Sequence, residues 1–269
     1  MEVVARLTAP LLAHLRLVLA REHQLVVAED WAALDRAIRS RPIDLAVVDP
    51  RADGTARSDE IQALLVRYRS LPLVLYMPLA PETLRITVEL AKYGLPQVVL
   101  RGFDDEPNHF RALLDRQPAR AVENALLNRI AKPLARVPPP LAKAIGEMFL
   151  RPHAFQSVDS LAVAAGLTRR SLDRSLGRAG LASARTLLTG ARVARAYHYL
   201  RDPGYQIDDV TRKLAYASPR LLARQVRWAT GLSPSMLRKA VEPEQFISEL
   251  AAMLHRLRED RKNGNHGRK

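Results

Sequence analysis

Between Ser157 and Val241 the chain repeats one short structural pattern, and any fold must accommodate both copies. The first reads SVDSLAVAAGLTRRSLDRSL and the second YQIDDVTRKLAYASPRLLARQV, with the helical-looking stretch ARTLLTGARVARAYHYLRD between them. In each, apolar residues at three- and four-residue spacing mark a short helix, a tight break follows, and a second, arginine-rich helix begins. In the first copy Leu161, Ala162 and Ala165 form an inward face, Gly166 supplies the break, and Thr168 caps a helix whose Leu172 and Leu176 point inward. In the second, Ile207, Val210 and Leu214 form the inward set and Ala215 and Tyr216 mark the corner. Ser218 and Pro219 then give an N-cap and a first-turn proline, with Leu222 and Val226 turned to the core. This is the pattern of a helix-turn-helix, present twice on one connecting helix.

Charge follows the same division. Residues 1 to 120 hold 16 basic and 16 acidic side chains, whereas residues 121 to 269 hold 26 and 12, so the whole net charge of +14 lies in the second half. A half-chain this basic attracts a polyanion and releases counterions on binding, the sequence-independent part of nucleic-acid affinity; together with the repeated helix-turn-helix pattern, this makes double-stranded DNA the expected partner. There is no cysteine, hence no disulfide, thiolate nucleophile or cysteine zinc site. The N-terminus lacks a signal-peptide pattern, because Glu2 and Arg6 interrupt the early apolar residues; the cytoplasm is the expected location. No G-x-S-x-G elbow, P-loop, H-E-x-x-H or strand-linked G-x-G-x-x-G is present, so an enzyme is not expected and no cofactor is called for.

Residues 1 to 117 alternate short β-branched runs with helical periodicity. EVVARL, QLVVAED, DLAVVDP, PLVLYMP and QVVLRG predict five strands, separated and followed by PLLAHLRLVLARE, WAALDRAIRS, SDEIQALLVRYRS, PETLRITVELAKYG and EPNHFRALLDRQ as helices. Such alternation implies a parallel sheet covered on both faces. Over most of its length this half resembles the receiver domain of bacterial response regulators, a flavodoxin-like fold. Asp49 then matches the phospho-accepting aspartate of that family. Ala5 and Arg6 stand where the resemblance implies a Mg²⁺-holding acidic pair, Met77 where it implies a small hydroxyl residue, and Arg101 where it implies a lysine. Without the acidic pair a degenerate receiver is expected, with Asp49 an ordinary carboxylate paired to Arg6 or Arg101. Asp104, Asp105 and Glu106 read as a solvated helix start.

Residues 118 to 140 read as a helical linker, with Ala121, Leu126, Leu127, Ile130 and Leu134 on one face, ended by a stiff spacer at VPPP. That apolar face is open to either domain or to a second chain. Residues 141 to 241 form the helical domain and 242 to 269 a further amphipathic helix, with Phe246, Leu250, Met253 and Leu254 on one side, and a basic tail suited to phosphate contacts.

Residues 157 to 241 resemble the DNA-binding domain of AraC/XylS-type transcription regulators. The resemblance is carried by LAVAAGLTRRSLDRSL, by the spacing of Arg192, Ala196 and Leu200, and by the closing GLSPSMLR. It implies two recognition helices entering successive major-groove segments, with base-reading positions at Arg170, Asp173, Arg174, Arg220, Ala223 and Arg224. Arg169 and Arg227 are assigned to phosphate. The sequence departs from the family in several places: GRAGL is one residue short, Ala215 replaces a glycine, Thr211 a small apolar residue, and Leu222 and Val226 aromatics. The expected protein is a transcription regulator with a receiver-like domain, whose partners are DNA, RNA polymerase and a second copy of the chain. The alternatives are a response regulator phosphorylated at Asp49, or an interaction adaptor that binds DNA without reading it.

Overall fold

The computed structural model of the protein describes residues 1–19, 23–95, 97–116, 120–240 and 242–256. The chain divides into two compact units. One comprises Met1–Ala119 and Asp202–Asp209, the other Arg120–Arg201 and Val210–Lys269.

The first unit runs β1 (Glu2–Arg6), α1 (Ala9–Val18), β2 (Gln24–Val27), α2 (Trp31–Ser40), β3 (Leu45–Val48), α3 (Ser58–Arg67), β4 (Leu73–Pro78), α4 (Pro81–Ala91), β5 (Gln97–Arg101) and α5 (Pro107–Arg116). All five strands are parallel, in the order β2-β1-β3-β4-β5. This is the flavodoxin-like arrangement expected of a receiver-like fold. The unbroken apolar run of β3 is buried on both faces, as a central parallel strand requires. Val3, Leu11, Leu15, Val74, Tyr76 and Phe110 pack between the sheet and α1 and α5. Asp30 caps α2 by accepting from the Ala33 amide, Pro81 starts α4, and Gly94 ends the following turn at φ +79°. The register sets Arg6 beside Val48, at the carboxyl edge of the sheet next to Asp49.

The same unit takes in Asp202–Asp209. The Asp202 carboxylate accepts from the Ser70 amide at 3.1 Å and its hydroxyl at 2.5 Å, and the Tyr205 ring lies 4.9 Å from that of Tyr68. Only glycine fits at 204, where a Cβ would stand 2.4 Å from the Tyr68 ring.

The second unit is helical, α12 entering it at Val210: α6 (Ala121–Arg129), α7 (Ala131–Leu134), α8 (Pro139–Leu150), α9 (Val158–Ala164), α10 (Arg169–Ala179), α11 (Ala184–Arg201), α12 (Ile207–Lys213), α13 (Pro219–Thr230), α14 (Pro234–Ala240) and α15 (Pro243–Arg256). Helix α11 is its axis, buried on most sides and touched by α6, α8, α9, α10, α13, α14 and α15. Along α15, Phe246, Leu250, Met253 and Leu254 are buried, as the spacing predicts. Phe246 stacks on Tyr197 at 4.1 Å, and Leu254 lies so close to Gly190 that a Cβ there would meet it at 2.8 Å. The basic tail expected at the C-terminus lies outside the described residues, apart from the helix preceding it.

Two expectations about residues 118 to 140 are corrected. The prolines do not form a spacer between units: Pro139 and Pro140 open α8, where a missing amide proton costs nothing. The linker helix breaks at Ile130 because Pro133 cannot donate and crowds the carbonyl four residues back. Its buried face is Val122, Glu123, Leu126 and Ile130, whereas Ala121 is exposed. It packs on α8, α11 and α15 within its own unit, which leaves that face no second chain to meet.

Glu123 has no exposed surface. Its carboxylate accepts from Arg195 Nη1 at 3.4 Å and pairs with His198 Nε2 at 3.1 Å, both on α11. Burial pushes the carboxyl upward, but the His198 hydrogen bond and the adjoining charges of His198 and Arg195 outweigh it and hold the group at about 2, against an ordinary 4.5. A depressed folded value means the pair stabilises the unit above the ordinary carboxylate range and is lost as pH falls from about 4.5 to about 2. Glu123→Gln is expected to cost about 3 kcal/mol near neutrality, by leaving Arg195 buried without its counter-charge, and to flatten the acid limb of stability. Thermal melts across the acid range check this; an unaltered acid limb refutes it.

Candidate nucleic-acid interface

The two sequence copies fold into corners with the same hydrogen bonds. At the first, the Gly166 amide donates to the Val163 carbonyl at 3.0 Å and the Leu167 amide to Ala162 at 2.9 Å. At the second, Ala215 donates to Arg212 at 3.0 Å and Tyr216 to Thr211 at 2.9 Å. Each is a helix end closed by a left-handed residue, Gly166 at φ +64° and Ala215 at φ +54°. The second helices are capped alike: Thr168 Oγ1 accepts from the Ser171 amide and Ser218 Oγ from the Leu221 amide, both at 3.2 Å. Behind the corners Leu161, Leu172 and Leu176, and likewise Val210, Leu214, Leu222 and Val226, are buried. Ile207, expected inward, is half-buried.

Counted from the caps, Arg170, Asp173 and Arg174 occupy the same positions on α10 as Arg220, Ala223 and Arg224 on α13. The first recognition helix is one residue shorter, 11 against 12, and its closing glycine, Gly180, comes one position earlier than Gly231. That deficit falls after the candidate reading residues and leaves their register intact. Arg169, Arg170, Asp173, Arg174, Arg220, Arg224 and Arg227 are exposed and Ala223 is half-buried. Arg169, assigned to phosphate, pairs with Asp159 at 3.6 Å on the surface. Around α13 a groove of about 730 Å³ is lined by Ser218, Arg220, Ala223, Arg224, Arg227 and Trp228. Trp228, 54% exposed, was missed from the sequence. The available signal was its four-residue spacing from Arg224 on an outward face.

Arg192 ties the two copies together through α11. Its Nη2 donates to the Phe155 and Gln156 carbonyls at 3.1 Å, just ahead of the first copy, and its guanidinium lies 5.6 Å from the Tyr216 ring at the second corner. Burial lowers its pKa and raises that of the Tyr216 phenol.

The other candidate, Asp49, lies 2% exposed at the sheet's carboxyl edge, accepting from the Arg51 amide at 2.9 Å. Burial raises its pKa. The expected pairing with Arg6 or Arg101 is corrected: Arg6 pairs with Asp53, which also accepts from Trp31 Nε1 at 2.8 Å, and Arg101 is exposed. A guanidinium and a single buried carboxylate do not fit the Mg²⁺ that receivers use, since a hard cation needs several anionic or neutral oxygens. Among the described residues no group of three or more His, Asp or Glu is placed to hold a metal. The acidic cluster is not solvated throughout. Asp105 is buried, accepting from Tyr76 Oη at 2.6 Å and the Gly102 amide at 2.7 Å with His14 at 3.0 Å, while Glu106 caps α5 through the His109 amide.

Residues 161–240 match the family model described as a helix-turn-helix domain. The chain thus carries an AraC-type helix-turn-helix domain over that span. No curated protein matches the chain. Among solved structures it is similar to full-length FixJ from B. japonicum, at 19% identity and a TM-score of 0.38 over 86% of this chain and 98% of that one. No helix of the described residues is long and apolar enough to cross a membrane.

A non-glycine residue in the left-handed region carries a steric penalty of roughly 1 to 2 kcal/mol. Ala215→Gly is therefore expected to stabilise the unit by about 1 kcal/mol, and Gly166→Ala to destabilise it by a similar amount. Urea unfolding of the two variants beside the parent checks both signs. An Ala215→Gly variant less stable than the parent would contradict the strained corner.

Proposed function

We propose that the protein is a sequence-specific DNA-binding transcription regulator, reading DNA with α10 and α13 and governed by a receiver-like unit that works without phosphoryl transfer. The observation that carries this reading is the equivalence of the two corners. Arg170 and Arg174, and Arg220 and Arg224, stand exposed at the same offsets from two capped helix starts. Arginine presents a planar fork suited to guanine O6 and N7, and Asp173 suits a cytosine amino group. The basic excess of the second half supplies the sequence-independent attraction. As a reader of DNA it would act in the cytoplasm, with RNA polymerase and a second copy of the chain as further partners, and it needs no catalytic chemistry.

The reading of the first unit rests on Arg6 standing where a metal-holding acid would be, and on the burial of Asp49. Incubation with a small phosphoryl donor and Mg²⁺ is expected to leave the protein unlabelled. Labelling that Asp49→Asn abolishes would favour the phosphorylation-dependent reading instead.

Selection from random duplex DNA is expected to return two half-motifs about one helical turn, roughly 10 base pairs, apart. Arg220→Ala or Arg224→Ala should cost about 1 to 3 kcal/mol at the selected site and relax preference at one base pair. Equal losses on selected and random DNA would point to the adaptor that binds without reading.

A further inference from the structure

We infer that Trp228, which no sequence motif marks, is a positioning contact to the DNA backbone: its indole packs on a deoxyribose at the groove wall and its Nε1–H donates to the adjoining phosphate. The inference rests on the DNA-binding reading of α13. Three observations carry it.

First, Trp228 is not part of the helix's inner face. Leu222, Val226 and Ala229 supply that face and are buried, whereas the indole stays 54% exposed in the groove it shares with Arg220, Arg224 and Arg227. An aromatic side chain carries a large apolar area, and folding alone gives no reason to leave it in water among cations. Second, at 100° per residue Trp228 lies 80° round the helix from Arg220 and eight residues further on, about 12 Å along the axis. That displacement, set against a major groove about 12 Å wide, takes the ring off the base edges and onto the wall of sugar and phosphate. Third, the equivalent position of the first copy, ten residues past the cap, is the exposed Arg178. A cation there suits phosphate, so the duplicated helix carries a backbone partner at the same place with different chemistry.

The experiment titrates the full chain with a random-sequence duplex at low salt, following both electrophoretic retardation and tryptophan emission. The other tryptophan, Trp31, is 8% exposed and hydrogen-bonded to Asp53, so quencher-accessible emission reports Trp228. On binding, accessibility to iodide or acrylamide is expected to fall, and Trp228→Phe should remove that signal. Trp228→Ala should weaken binding about tenfold on selected and random DNA alike, yet leave the slope of log K against log salt unchanged. Arg227→Ala, by contrast, should reduce that slope by about one, because its cation displaces a counterion from the phosphate. An unchanged melting temperature separates lost contact from lost folding. Retardation without an emission change, or full affinity in Trp228→Ala, overturns the inference and leaves the DNA-binding reading standing. No retardation of the parent protein by any duplex overturns both.

Discussion

The second unit depends on the burial of α11, a helix covered on most of its sides. A helix with one apolar stripe needs one neighbour; a helix buried nearly all round needs a shell, and seven others supply it. Its length fixes the separation of the two corners, and its polar side chains do the fastening. Arg192 reaches backbone carbonyls ahead of the first copy and the tyrosine ring of the second, so neither corner can rotate on the axis without breaking a charge-assisted contact. Arg195 and His198, about one and two turns further along, fasten α6 through Glu123. The region that looked like a linker is thereby part of the domain it was expected to lead into.

What could be read from the sequence follows from how local each determinant is. Strand runs, helix caps and the repeated corners are encoded within a few residues, and they appear where the pattern predicts. The sheet order also follows from alternation, because parallel strands joined by helices allow few arrangements. The fate of α6 was not legible, since its decisive residue is a buried glutamate that hydropathy assigns to solvent and whose partners Arg195 and His198 lie more than 70 residues away. Asp105 is a similar case: adjacent acids look solvated until Tyr76 and His14, brought from β4 and α1, enclose one of them. Trp228 was overlooked for the opposite reason, because an aromatic at helical spacing normally belongs to the core.

At the carboxyl edge of the sheet the substitution of Arg6 for an acid is a change of sign, not of detail. A fixed guanidinium neutralises Asp53 permanently, whereas a metal ion would come and go with the phosphoryl group it serves. Burial of Asp49 acts in the same direction, since it raises the pKa and disfavours the charged form.

On the proposed reading of DNA by α10 and α13, the two helices share a register but not their chemistry beyond it. At the fifth position after the cap one helix carries Asp173 and the other Ala223; at the tenth, Arg178 and Trp228. An aspartate accepts hydrogen bonds from base edges and repels phosphate, while an alanine offers only a methyl contact. Equal geometry with unequal side chains means the two half-sites need not match in sequence, so the site is expected to lack the symmetry of one read by identical subunits. The corner strain points the same way. With Ala215 where its counterpart has Gly166, the second corner is held, by its backbone hydrogen bonds and the buried Tyr216, in a conformation that its own residue disfavours.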